Sequence, residues 1–445
     1  MSFLLLTCSL ALLLCGARAA QAATPSYCST GGSQLWANLE ACGWPGPSNT
    51  GPDLTQCPGG LTTNSGSTTR TITISTPNTV ISCQNITGGL QITAQNVTIK
   101  NSIISYDGGG AGGSGVININ DGASATVDHV ELNGLNHTHA CIWDEGIKGS
   151  ALAYSMLAKD VNCHDVNDGI FSWWYSNDKN AGAGSDFLIQ DSYFHDFTEN
   201  AANGHIDGYQ TEGAHNGTIT HNTYLISRVP GDVSVSGGGI DSAIALWDDF
   251  NQSTPSGLTA GNITVTNNLI AGGGFAAFAE DYMGPGGQAT ENVANSAVGG
   301  NNLTKVSFMN NVFSTYLNSC VGEYGVWFYR SAWPPYYGGP TDLWNVGGSL
   351  RSGNTVLETG ENIDRGGPTG CEGANSSPAA PLQTSGTCDV NGDGNTNVAD
   401  VQAEVNQALG ISACANDINQ DGACNVIDVQ RVVNAALGGQ CVTTP

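Results

Sequence analysis

One strand pattern, apolar-x-polar-polar-x-apolar, returns along this chain at a nearly fixed interval, and no other feature restricts its fold as strongly. It reads Ile99-Lys100-Asn101-Ser102-Ile103-Ile104, then Ile189-Gln190-Asp191-Ser192-Tyr193-Phe194, Ile219-Thr220-His221-Asn222, Val265-Thr266-Asn267-Asn268-Leu269-Ile270 and Phe308-Met309-Asn310-Asn311-Val312-Phe313. Weaker copies lie at Val127-Asp128-His129-Val130 and Lys159-Asp160-Val161-Asn162. Anchored on the first polar residue, the copies fall at 101, 129, 160, 191, 221, 267 and 310, with spacings of 28, 31, 31, 30, 46 and 43. Such regularity marks a solenoid in which each interval is one coil of short strands and turns. The two longer intervals leave room for loops inserted into later coils.

A Greek-key sandwich also uses short alternating strands, but it does not repeat one asparagine-rich strand at a fixed interval. The expected fold is all-β, a parallel β-helix over residues 71–365. Matching residues of successive coils then stack about 4.8 Å apart, a register that lets Asn101, Asn267 and Asn310 extend a hydrogen-bonded ladder. Composition agrees: Gly is 61 of 445 residues and charged residues are only 11%. Gly and Asn accept the left-handed conformations that many tight turns demand.

Thirty-eight acids against 12 bases give a formal charge of −26. That excess disfavours nucleic acid and anionic membrane surfaces as partners, and a polyanionic substrate unless a cation bridges the two. The apolar run from Phe3 to Leu14, followed by small residues, reads as a secretory leader over 1–23 and is too short to span a membrane. Its removal discards Cys8 and Cys15 from the 14 cysteines and leaves 12. An even number in a chain addressed to an oxidising compartment points to disulfides, with the pairing left open. The expected location is therefore extracellular or cell-surface, the expected state a monomer.

From about Gly43 to Asn362 the chain resembles the pectate-lyase-like right-handed parallel β-helix proteins. The segments that carry the likeness are the opening run Gly43–Gly51, Thr79-Val80-Ile81, Asn96-Val97-Thr98-Ile99-Lys100-Asn101 and His205-Ile206-Asp207-Gly208-Tyr209-Gln210. The resemblance implies a fold more than a reaction. On this reading 24–70 form a Cys-rich N-terminal cap, 366–387 a linker rich in Gly, Pro, Ser and Ala, and 388–445 a separate module.

That module carries Asp389-Val390-Asn391-Gly392-Asp393-Gly394-Asn395-Thr396-Asn397-Val398-Ala399-Asp400. Oxygen-bearing side chains at loop positions 1, 3, 5, 9 and 12, with Gly394 at position 6, form a calcium-loop pattern. The pattern returns 28 residues later as Asp417, Asn419, Asp421, Ala423 at position 7, Asn425 and Asp428. Each loop leads into an apolar helix. Asp at position 12 and the paired loop-helix units make Cys388 to Gly439 similar to a type I dockerin, an EF-hand-like calcium (Ca2+) module. The likeness implies a cohesin-like partner. Positions 10 and 11, Val398-Ala399 and Val426-Ile427, depart from the hydroxyl residues that dockerins use there, so a disulfide-braced, calcium-dependent cap or attachment module is an equal reading.

A second strand series mixes rings with acids: Cys141–Glu145, Gly169–Tyr175, Gly208–Glu212, Ile244–Asp249, Phe278–Tyr282 and Trp327–Arg330. Stacked coils would gather these into one stripe, and sugar C–H faces lie on aromatic rings while hydroxyl rims bond to acids and amides. Trp173, Trp174, Tyr209, Gln210, Trp247, Asp248, Trp327 and Arg330 are the expected sugar-binding residues. Asp165, Asp168, His205, Asp207 and Glu212 fall on two neighbouring coils. Hydrolysis needs a protonated and a charged carboxyl group across the glycosidic bond, a pair that Asp168 and Asp207 supply, with His205 tuning one of them. β-Elimination instead needs a base such as His205, Lys148, Arg228 or Arg330 and a cation for the uronate. The function expected is polysaccharide binding and cleavage by one of these routes. The alternative is a non-catalytic glycan-binding adhesin.

Overall fold

The computed structural model describes residues 24–108, 115–146, 154–173, 186–198, 206–212, 214–226, 240–247, 261–280, 304–330, 350–364, 366–371, 388–391, 396–409, 411, 414, 416–418, 424–439 and 441–442. Its strands form one continuous spiral of parallel pairings. Three stacks of strands result, each taking one strand per coil. The first includes Gly89–Ile92, Gly115–Ile119, the end of Ala125–Asp144, the end of Asn162–Trp173, Ile206–Glu212, Ile240–Trp247, Phe275–Glu280 and Gly325–Arg330. The second runs from Val80–Ser82 to Leu350–Ser352 and the third from Thr62–Asn64 to Thr355–Val356. Each coil buries its inward residues against the coils above and below, so the core is one continuous column that includes Leu90, Ile117, Ile142, Ile170, Ile244 and Trp327. The parallel β-helix expected from the spacing is the fold observed.

The repeated polar anchor stacks as expected, but for a different reason. Cys83, Asn101, His129, Asp160, Asp191, His221, Asn267 and Asn310 all have positive φ, between 46° and 56°, and Gly353 continues the column. Each is the single left-handed residue that bends the chain from the second sheet to the third. Asn, Asp and His tolerate that conformation better than other residues with side chains.

The ladder expected of Asn101, Asn267 and Asn310 belongs instead to the residue that follows. The side-chain oxygens of Asn222, Asn268, Asn311 and Asn354 accept the backbone N–H of Ser192, Asn222, Asn268 and Asn311 at 3.0, 2.9, 3.1 and 3.1 Å. Asp364 closes the series by accepting from the Asn354 N–H at 2.9 Å. Just past the bend the side chain points inward, where the turn leaves backbone N–H groups without a strand partner, and a buried amide satisfies them.

The N-terminal segment lies along the flank of the solenoid rather than over its end. Gly31 sits against Glu358 near the last coil, and Trp36 stacks on Tyr316. Leu35 and Leu39 pack with Tyr193 and Leu269 of the third sheet and with Leu317 just beyond it. Farther on, His221 Nε2 donates to Gly43 O, Gly51 N–H donates to Asp160 O, and Asp53 N–H donates to Asn101 Oδ1. Cys57 then bonds to Cys83 in the first coils. The segment is a strap crossing the coils from last to first. Among the described residues the other disulfides are Cys28–Cys42, Cys141–Cys163, Cys320–Cys371, Cys388–Cys441 and Cys414–Cys424.

In the C-terminal module, helices Val398–Ala408 and Val426–Ala436 each open with a capping box, Asn397 with Asp400 and Asn425 with Asp428. No helix among the described residues is long and apolar enough to cross a membrane.

Candidate functional site

The first sheet carries the expected stripe, and register decides which of its residues meet. One column is Trp143, Phe171, Gln210, Ala245, Phe278 and Phe328. Two positions along, Trp173, Glu212, Trp247, Glu280 and Arg330 form a second, alternating ring with acid before it ends on a cation. A third contains Asp207, Ser242 and Phe275, with Asp168 on the rung before Asp207.

Two glycines turn these acids to the outer surface of the sheet. A Cβ on Gly169 would overlap the carbonyl oxygen of Gly208, and one on Gly208 would strike the inward ring of Tyr224. Each glycine therefore faces the crowded interior, and Asp168 and Asp207, one residue earlier, face outward.

Asp168 is the centre of the arrangement. Its Oδ1 accepts the Asp207 backbone N–H and the Asn167 side-chain amide, both at 3.0 Å. Its Oδ2 lies 2.8 Å from Nε2 of His139. Asp168 is sealed, with a side chain only 1% exposed, whereas His139 is 24% exposed. Solvent and any ligand thus reach the imidazole before the carboxylate. The His139 ring meets Trp143 edge-on at 5.3 Å, and Trp143 packs on Phe171 at 4.3 Å. Asp207 is fully buried beside this group.

Sequence reasoning named Asp168 and Asp207 and placed them on adjacent coils, as found. It missed His139. The signal available was register: Ala140 pairs with Asp168, so the residue before Ala140 stands beside the acid.

Two expected sugar-binding residues are corrected. Tyr209 lies inside the solenoid, stacked on Phe187 at 5.4 Å, and burial pushes its phenol well above the ordinary range. Trp327 is also interior: it meets Phe308 and Phe313 edge-on, and its indole N–H donates to Ile363 O at 2.8 Å. Each is the second of two consecutive inward residues, after Gly208 and Val326, a break in the alternation that the ring-rich sequence did not reveal.

Asp165 turns away from Asp168 in a left-handed conformation and bonds His164 Nδ1 at 2.9 Å. Burial works to discharge His164, but its contacts with Glu131 and Asp165 outweigh burial and raise its pKa. Trp173, Glu212, Trp247 and Arg330 are placed by backbone register alone. His205, Trp174, Asp248, Lys148 and Arg228 lie outside the described residues.

Farther round the coil, Asp128, His129 and Asp160 bring one potential ligand atom each within 4.8 Å of one another. Lys159 already answers that charge, with Nζ 3.3 Å from Asp160 Oδ2.

In the C-terminal module Asp400, Asp417 and Asp428 are buried. Burial opposes ionisation of Asp400, yet the backbone N–H groups of Asn391 and Asn397, at 3.0 and 2.7 Å, hold its carboxyl below the ordinary range. Glu404 is buried too: desolvation first, then the charges of Asp428 and Asp417, push it up to about 7. Of the expected loop residues, Asp393, Asn395, Asn419, Asp421 and Ala423 lie outside the described residues.

Compared with known proteins, the chain matches no family profile and no curated sequence. Among solved structures it is similar to the A-module of a mannuronan C-5 epimerase from Azotobacter vinelandii, at 11% identity and a TM-score of 0.26, over 68% of this chain and 81% of that one. It is also similar to the catalytic unit of a thermostable GH87 alpha-1,3-glucanase from Streptomyces thermodiastaticus, at 11% identity and a TM-score of 0.23, over 71% of this chain and 65% of that one. At such scores neither superposition bears on the chemistry.

Proposed function

We propose that this chain is a secreted carbohydrate-active protein that binds a polysaccharide across the outer face of its first sheet and cleaves it at His139, Asp168 and Asp207. The observation that carries this reading is the partly exposed imidazole of His139, set against a sealed carboxylate and among aromatic rings. With Nε2 only 2.8 Å from the Asp168 carboxylate, a neutral ring would carry its proton on that nitrogen and keep its lone pair on Nδ1. A base so oriented moves a proton to or from a sugar held against the rings. Asp207, on the next rung, supplies the second carboxyl that hydrolysis requires. Gln210, Trp173, Trp247, Glu212 and Arg330 hold positions on this sheet by backbone register, and such rings would cover apolar sugar faces while such polar groups would bind hydroxyls.

The C-terminal loops would serve as a calcium-dependent attachment or stabilising module, either docking on a cohesin-like domain or, given Val398-Ala399 and Val426-Ile427 at positions 10 and 11, capping the chain. Asp389, Asn391, Asn397 and Asp400 would hold one ion, and Asp417, Asn425 and Asp428 the other. Three of these acids are buried, and buried carboxylates of one sign call for a cation.

Incubating calcium-loaded protein with neutral and uronate polysaccharides, while reading both reducing ends and unsaturated products, tests the reading. His139→Ala and Asp168→Asn should each lower kcat by about 10²-fold or more with little change in binding. Glycan binding with neither product across a broad panel would establish the adhesin instead.

A further inference from the structure

The buried stripe of helix Val398–Ala408 is polar: Asp400, Glu404 and Gln407, one per turn along a single face. Asp400 belongs to the first loop and caps its own helix. Gln407 reaches the second repeat, accepting the Asn416 N–H at 2.9 Å and lying 3.6 Å from Cys424 Sγ. Asn416 immediately precedes the second calcium-loop sequence and Cys424 lies within it. Glu404 stands one turn before Gln407 on the same face, so it looks toward that same loop.

Glu404 is fully buried, and neither carboxylate oxygen has a hydrogen-bond partner among the described residues. The charged groups that act on it are Asp428 and Asp417, the last and first residues of the second loop. Like charges gathered out of water, one of them without a donor, are not a stable end state for a metal-free protein.

The two repeats differ at this position. Twenty-eight residues on, the counterpart of Glu404 is Val432, an ordinary core residue packed with Cys388 and Ile418. The second loop also lacks one oxygen-bearing side chain, having Ala423 where the first has Asn395. A carboxylate replaces the apolar side chain on the helix that faces the loop with fewer donors.

We propose that Glu404, outside both loop motifs, supplies a carboxylate from the first repeat to the calcium site of the second, as a ligand or through one bound water. The proposal rests on the reading of these loops as calcium sites. It makes the module asymmetric: the second site is completed only when the first helix is docked on it, so filling it fastens the two repeats together.

Calorimetric titration of calcium into the chelator-treated full chain, for the native protein, Glu404→Gln and Glu404→Val, tests this. The native protein should bind two ions. Both variants should keep one site unchanged and weaken the other at least tenfold, and without calcium both should melt at a higher temperature than the native protein, because an orphaned charge has gone. A side chain needed only for packing would lower that melting temperature in both. Two ions bound with native affinity in both variants would overturn the role of Glu404 and leave the calcium reading standing. No calcium uptake by the native chain would overturn both.

Discussion

Adjacent residues of one turn carry opposite duties in this solenoid. Asn267 bends the backbone with a φ of 56°, while the Asn268 side chain is buried and bonds both ways along the ladder. Asn267→Gly should therefore change stability by less than about 1 kcal/mol, since Gly adopts that conformation freely. Asn268→Ala should cost about 1–3 kcal/mol, because it orphans the buried Asn222 N–H and takes from the Asn222 amide one of its two acceptors. Urea unfolding of the two variants decides; equal losses would show that the ladder contributes nothing of its own. The repeated Asn pair was visible in the sequence. Which member bends and which bonds was not, because both duties favour the same residue type.

Among the elements, the strap is the one whose place no periodicity predicted. Residues 24–70 have turn-like composition and four cysteines with Cys83, which suited a cap over the first coil. The structure lays them along the flank, because Leu35, Trp36 and Leu39 have an apolar strip of the third sheet to cover. Cys57–Cys83 fixes one end across a separation of 26 residues. A loop of that size corresponds to about 3–4 kcal/mol in the chain-entropy account, so Cys57→Ser with Cys83→Ser should lower stability by about that amount. Hydrogen exchange gives the local reading: the amides of Gly51 and Asp53, bonded to Asp160 O and Asn101 Oδ1, should exchange faster than those of the coils beneath. Unchanged protection of both would mean that the strap holds without its disulfide.

At the scale of the whole molecule, a stacked core and the proposed calcium module should respond to different variables. Ligands that bind only the folded state stabilise it by about 4 kcal/mol at a thousandfold excess over Kd. The loop residues fall between 389 and 428, so a chelator should lower the module's thermal transition and leave that of the solenoid in place. Scanning calorimetry with and without chelator checks this; equal displacement of both transitions would place calcium in the coils as well. The charge of −26 acts on the whole particle. It makes association with a uronate polymer dependent on added cations, while a neutral glycan would bind without them.

The sequence by itself determined the coil. A polar pair at intervals of 28 to 31 residues, flanked by alternating apolar positions, leaves a parallel solenoid as the economical way to bury every strand, and the pairings follow that register. Local chemistry alone also carries the proposal of two calcium loops. Tertiary structure decided the rest. Trp327 and Tyr209 turned inward because alternation about a bend depends on where each strand begins, which composition does not encode. His139 reached Asp168 because stacking puts residues 29 positions apart in the chain within 2.8 Å of each other. Contacts between coils run perpendicular to the chain, so they become legible only once the vertical register is known.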